Sequence, residues 1–168
     1  MKTPLILAAL LLHGALAQNA STPATSAWSK LEFVLGNWVG VAGENDTQLG
    51  AGQGAFSFLA DLNQKIIVRR NTAAYDSGVH HDDLMIIYLD APDSTARAIY
   101  FDSEGHVIRY NLTFPAPNRV VFESEASQPG PRYRLTYWLD GARLNGSFEL
   151  AASPGQYMPY MKWTSKKR

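Results

Sequence analysis

The chain has 168 residues, enough for one domain with a single core. It is 46% apolar and 18% charged, which excludes general disorder, and its 15 basic and 15 acidic residues cancel. That balance gives no footing to a nucleic acid or an anionic membrane surface as partner. The absence of cysteine excludes disulfides, thiolate metal sites and a thiol nucleophile.

Residues 1–17 carry an early basic Lys2, an apolar run from Leu5 to Leu12 and a small-x-small end at Ala15-Leu16-Ala17. This is the pattern of a secretory signal peptide cleaved before Gln18, and it predicts a secreted or periplasmic product. As a membrane anchor the apolar run falls short of the ~20 residues needed to span a bilayer. Residues 18–27, rich in Ser, Thr, Ala and Pro, read as a flexible leader, which puts the folded domain at 28–168.

In that domain Trp28, Leu31, Val34 and Leu35 share a helical face that Gly36 ends, predicting a short helix or 3₁₀ turn that feeds a first strand at 38–42. A polar loop spans 43–50. Strands are then expected at 52–59 and 65–74, with Phe56 and Phe58 on one face of the first and Ile66, Val68 and Arg70 on one face of the second. His80-His81-Asp82-Asp83 falls in the break that follows and reads as solvated loop before a covered strand at 84–89.

Next comes Ile99 to Phe114, two β-branched and aromatic runs meeting at Ser103-Glu104-Gly105, where Gly supplies the positive φ of a tight hairpin. Strands at 119–125, 132–139 and 144–150 follow, the last two joined by the hairpin turn Asp140-Gly141. The tail from Gln156 is expected to form a short helix packed outside, with Pro159 limiting its length.

About nine strands at roughly ten-residue spacing, with turn signals between them, read as a sandwich or a barrel. Consecutive hairpins make a meander, and closing a meander removes its exposed edges. The expected fold is therefore all-β, an antiparallel up-and-down barrel of about eight to ten strands. It carries a short N-terminal helical turn and a short C-terminal helical segment.

The stretch Leu31-Glu-Phe-Val-Leu-Gly-Asn-Trp-Val-Gly40 resembles the opening signature of the calycin superfamily, which includes lipocalins and fatty-acid-binding proteins. In that family a helical turn precedes Gly-x-Trp on the first strand, matched here by Gly36-Asn37-Trp38. The resemblance implies that Trp38 plugs the closed end of a barrel. The chain is also similar to small exported bacterial lipocalin-like domains. It departs from lipocalins in lacking a disulfide and any later motif for the arginine that stacks on the tryptophan. Haem-binding relatives of the nitrobindin type use a histidine late in the chain, whereas the last histidine here is His106.

A barrel of this size holds one small molecule. The more apolar strand faces, taken as inward, supply Phe56, Phe58, Ile66, Val68, Ile108, Leu112, Val120, Phe122, Leu135 and Phe148. The same parity brings in Arg70, His106, Tyr110, Ser124, Tyr133 and Tyr137. The expected ligand-binding set is Phe56, Phe58, Arg70, His106, Tyr110, Phe122, Tyr133 and Tyr137, with an interior arginine suited to a carboxylate. Against this stands the plainer reading that the hydroxyls and His106 sit at the barrel ends and meet only water or backbone.

On an extended backbone His81 and Asp83 point one way and His80 and Asp82 the other, so this strand offers at most two ligands to one ion. No metal site and no cofactor is expected. His81, Asp83 and His106 are the candidates for general acid/base work, because histidine titrates near neutral pH. No Gly-x-Ser-x-Gly elbow, His-Glu-x-x-His or Walker loop occurs, and Gly50, Gly52 and Gly54 open a strand, which rules out a dinucleotide loop. The leading expectation is an exported barrel binding an apolar or amphipathic small molecule. A barrel enzyme using the His/Asp/Tyr group is the alternative, and a structural module with a filled core is the third reading.

Overall fold

Half-buried strands joined by tight turns must find a shared interior, and here they do so by closing a circle. The computed structural model describes residues 27–41, 46–47, 52–90, 95–127, 129–153 and 155–168. The expected signal peptide, nearly all of the leader and most of the 43–50 loop lie outside the described residues. The elements are a 3₁₀ helix η1 (Ser29–Val34) and strands β1 (Gly36–Gly40), β2 (Asp46–Thr47), β3 (Gly52–Asp61), β4 (Ile66–Tyr75), β5 (His80–Leu89) and β6 (Ala96–Asp102). They continue as β7 (Val107–Ala116), β8 (Arg119–Ser124), β9 (Arg132–Asp140), β10 (Arg143–Ala151) and β11 (Met158–Lys167).

Each strand from β3 onward pairs antiparallel with its sequence neighbour, and β11 returns to pair with β1 through Trp38↔Lys167 and Gly40↔Ser165. The two-residue β2 runs along the same edge of β11, at Met161 and Lys162, so β1 and β2 share one place in a ten-strand barrel. The tail is thus a strand and not the expected helix. Without it β1 and β10 would each leave a row of unpaired backbone groups, and Met161, Trp163 and Ser165 alternate inward as a strand requires. Pro159, which has no N–H to donate, sits where the β10–β11 register shifts at Phe148 and Glu149. Likewise His80–Asp83 starts β5, pairing with Asn71–Ala74, and is not loop.

One end of the barrel is filled. η1 lies across it with Leu31 and Val34 fully buried, and Trp38 donates its indole N–H to the Val34 carbonyl at 2.8 Å. Phe58, Ile67, Met85, Ile87, Leu112, Val120, Phe122 and Leu144 pack above this plug. The Lys167 ammonium stands 5.4 Å from the centre of the Trp38 ring, a cation–π contact that covers the plug.

The inward parity of β4 is the reverse of the expected one. Ile67, Arg69 and Ala73 are buried, while Ile66 and Val68 are only half-buried and Arg70 is exposed. Ile66 to Val68 is apolar on both faces, so the run carries no parity of its own. Pairing with β3 and β5 fixes it.

The wall is shaped by one close approach. The Trp163 indole closes on Gly146 of β10, where a Cβ would fall 2.1 Å from the ring, and packs edge-on to Tyr137 at 5.6 Å between centroids. We expect Gly146→Ala to drive the indole into the barrel interior. Urea unfolding followed by tryptophan fluorescence should show a loss of about 1–3 kcal/mol, the usual cost of overpacking.

Candidate functional site

At the end opposite η1 the interior is open, enclosing a cavity of about 510 Å³. Its size suits one small molecule. Its walls differ in character. On one side Phe56, Leu135, Phe148, Leu150, Met161 and Trp163 are apolar; on the other, β4 to β7 contribute Arg69, Asn71, His81, Asp83, Tyr100, Asp102 and Tyr110.

The polar wall is built on Arg69. Its guanidinium is buried, ion-paired with Asp83, and donates from Nε to the Tyr137 hydroxyl at 2.9 Å. The rings of Phe56, Phe58 and Tyr137 surround it at 5.5–5.9 Å. Burial alone would lower its pKa; Asp83 and Tyr137 outweigh that and hold it above the ordinary arginine value. The second Asp83 oxygen accepts from Asn71 Nδ2 at 3.0 Å. Burial also pushes the Tyr137 hydroxyl up to about 12.

His81 extends this network toward the mouth. Its Nε2 lies 3.0 Å from the Tyr100 hydroxyl and 3.4 Å from Asp83, and its Nδ1 lies 3.0 Å from Glu104. The hydrogen bond to Asp83, with Glu104 adding to it, raises the imidazole to about 9 against the opposing effect of burial. It is therefore an imidazolium at neutral pH. Tyr100 is raised as well, chiefly by burial. At the rim Asp102 organises the β6–β7 turn, accepting from the backbone N–H of Glu104 at 3.1 Å and of His106 at 2.8 Å, with the His106 ring 2.8 Å away. Those His106 bonds bring the Asp102 carboxyl below its usual range although burial opposes them.

Of the candidate acid/base residues, His81 and Asp83 stand in contact, while the His106 side chain is mostly exposed and turned to Asp102. Of the expected ligand-binding set, Phe56, His106, Tyr110 and Tyr133 line the cavity. Phe58, Phe122 and Tyr137 belong to the packed interior below it, fully buried and outside its lining. Arg70 faces away, beside Ser57, Thr72 and Arg168. Ser124 is buried and structural, its hydroxyl accepting from Tyr133 N at 2.9 Å and Arg132 Nε at 3.1 Å. Sequence reasoning passed over Arg69, Asn71, Tyr100 and Trp163. The period-2 run Arg69, Asn71, Ala73, Tyr75 was the available signal.

The barrel is similar to a solved structure. This is the crystal structure of Rv2717c from M. tuberculosis, at TM-score 0.56 and 10% sequence identity, over 82% of this chain and 94% of that one. At that identity the likeness speaks for the fold, a ten-strand antiparallel barrel consistent with a calycin-like architecture. No protein-family model and no curated protein matches the chain.

For a cation, His81, Asp102 and Glu104 bring ligand atoms within 4.8 Å of one another, and no other such group occurs among the described residues. A metal would have to displace the proton that Asp83 and Glu104 stabilise on His81, so the cluster is organised first as an ion-pair network.

Two outcomes follow from this geometry. Arg69→Met leaves Asp83 buried beside an apolar chain and should cost about 3–5 kcal/mol in urea unfolding, with Arg69→Met/Asp83→Asn recovering much of the loss. His81, raised to about 9 from the ordinary 6.5, contributes stability that is full below pH 6.5 and lost as pH rises through 9. Because the side chain is partly exposed, screening leaves about 1–2 kcal/mol. The wild-type midpoint in urea should fall between pH 6 and pH 9.5, and His81→Gln should flatten that fall.

Proposed function

We propose that this protein is a small-molecule-binding barrel of calycin type that holds an apolar or amphipathic ligand in the cavity at its open end, without catalysis. The observation that carries the reading is the cavity itself: one end of the barrel is packed solid by η1 and Trp38, while the other keeps about 510 Å³ between an aromatic and a polar wall. A core built only for stability fills such space, since unfilled interior volume costs van der Waals contact. The composition of residues 1–17 supports export, and no helix among the described residues is long and apolar enough to cross a membrane.

A barrel enzyme is the second reading, favoured by the His81–Asp83–Tyr100 contacts. With His81 protonated at neutral pH, the group would act as a general acid and not as a base.

Native mass spectrometry of the full chain as purified, before and after extraction with organic solvent, tests the binding reading. A retained small molecule is expected, and refilling the extracted protein should raise the melting temperature, by about 2.7 kcal/mol of stability at a hundredfold excess over Kd. Leu150→Trp, which narrows the mouth, should abolish the retained mass. A wild-type protein that carries nothing and gains nothing from apolar ligands would leave the filled-core reading in its place.

A further inference from the structure

The carboxylates of the polar wall outnumber the cations that face them, and this bears on what the cavity can hold. Asp83, Asp102 and Glu104 stand against Arg69 and His81. Two further basic side chains stand at the rim. His106 is mostly exposed and leans on Asp102, and Lys162 is exposed on the β11 face opposite Met161 and Trp163.

The three carboxylates are not equally occupied. Asp83 is taken by Arg69, Asn71 and His81, and Asp102 by two turn amides and the His106 ring. Glu104 has a single side-chain partner among the described residues, His81 Nδ1, which its two oxygens share at 3.0 and 3.2 Å. A carboxylate accepts about four hydrogen bonds, so most of this one's capacity is open. The Glu104 side chain is 42% exposed, so a charge seated beside it keeps part of its hydration.

Rings stand around that point. Burial raises the Tyr75 hydroxyl above its ordinary value, and Tyr160, Asp83 and Glu104 add to the rise, which puts all three within electrostatic reach of it. Tyr160 meets Phe148 edge-on at 6.2 Å, Phe148 stacks on Tyr133 at 5.8 Å, and Trp163 lines the cavity beside them. The cations that the protein lays over rings among the described residues go to other aromatics, such as Phe56, Trp38 and Tyr157. Deeper in, the Tyr110 hydroxyl lines the same cavity without a side-chain hydrogen bond among the described residues, although the residue is 1% exposed. Buried hydroxyls ordinarily find a partner, and here the cavity's occupant is the group in reach.

We propose that the cavity's ligand is an amphipathic cation, its ammonium held at the mouth beside Glu104 and the rings of Tyr75 and Tyr160, its apolar body reaching inward along Phe148 and Trp163. A carboxylate set among ring faces is the chemistry that recognises an ammonium. A carboxylate or phosphate on the ligand would meet Glu104 and Asp102 at the same mouth as like charges. The proposal rests on the reading of this cavity as a ligand site, and names the charge of what fills it.

Three probes of one shape test it by calorimetry on the full chain at pH 7: 2-naphthylmethylammonium, 2-ethylnaphthalene and 2-naphthoate. The ammonium is expected to bind about threefold or more tighter than the hydrocarbon and about tenfold or more tighter than the naphthoate. Glu104→Gln should weaken the ammonium about five- to tenfold and leave the hydrocarbon unchanged. Raised salt should likewise weaken the ammonium and not the hydrocarbon. Naphthoate or ethylnaphthalene binding as tightly as the ammonium would overturn the cation proposal while leaving the ligand-site reading standing. So would a Glu104→Gln protein that binds the ammonium undiminished, or one that loses ammonium and hydrocarbon alike, as a purely structural Glu104 requires. Failure of all three probes, hydrocarbon included, would overturn the ligand-site reading and the proposal with it.

Discussion

A permanent positive charge inside a closed barrel is the constraint from which the rest of the interior follows. The Arg69 guanidinium does not lose its proton, so its burial is tolerable only where an anion, hydrogen-bond acceptors and ring faces surround it. Asp83 on β5 supplies the anion, Tyr137 on β9 the acceptor, and Phe56 and Phe58 on β3 the rings. Three separate stretches of chain are thereby held in one register around a single side chain. The barrel changes character at this level: beneath Arg69 the space is filled by apolar side chains, and above it lies the cavity.

The network above Arg69 is a chain of dependence. Asp83, fixed by Arg69 and Asn71, raises and orients His81; His81 in turn engages Glu104 in the β6–β7 turn, whose backbone Asp102 organises. The loop at the mouth is thus tied to the buried charge through two histidine contacts and one carboxylate. Such a wall is polar, with each of these charged groups held by a neighbour.

Closure has its own logic. A meander of antiparallel strands has two edges, and here the C-terminal strand removes both by pairing with β10 on one side and β1 with β2 on the other. The same strand carries Trp163 and Ser165 into the cavity wall and lays Lys167 over the Trp38 plug. The last ten residues of the sheet therefore complete the fold, furnish one wall of the site and brace the closed end.

Turns and strands were legible because they are local. Gly105 and Gly141 adopt the positive φ their hairpins require, and Tyr133, Leu135 and Tyr137, like Leu144 and Phe148, reach the interior as their alternation in the sequence implies. Legibility failed where local pattern was degenerate. Ile66-Ile67-Val68 is apolar throughout and Arg69-Arg70 is basic twice, so either parity of β4 satisfied the sequence and the inward arginine was assigned one residue too far along. The tail failed for another reason: Tyr157, Tyr160, Met161 and Trp163 fit a helical face as readily as an extended one, and only the need of β1 and β10 for a partner decides between them. By itself, then, the amino-acid order determined an antiparallel meander, a Gly-x-Trp start and the shared direction of His81 and Asp83, since each depends on backbone preference over a few residues. Which of two adjacent arginines is buried, which aromatics fill the floor and which line the cavity, and how Asp83 comes to hold His81 were decided by pairing between distant strands, because inside and outside exist only once the circle is closed.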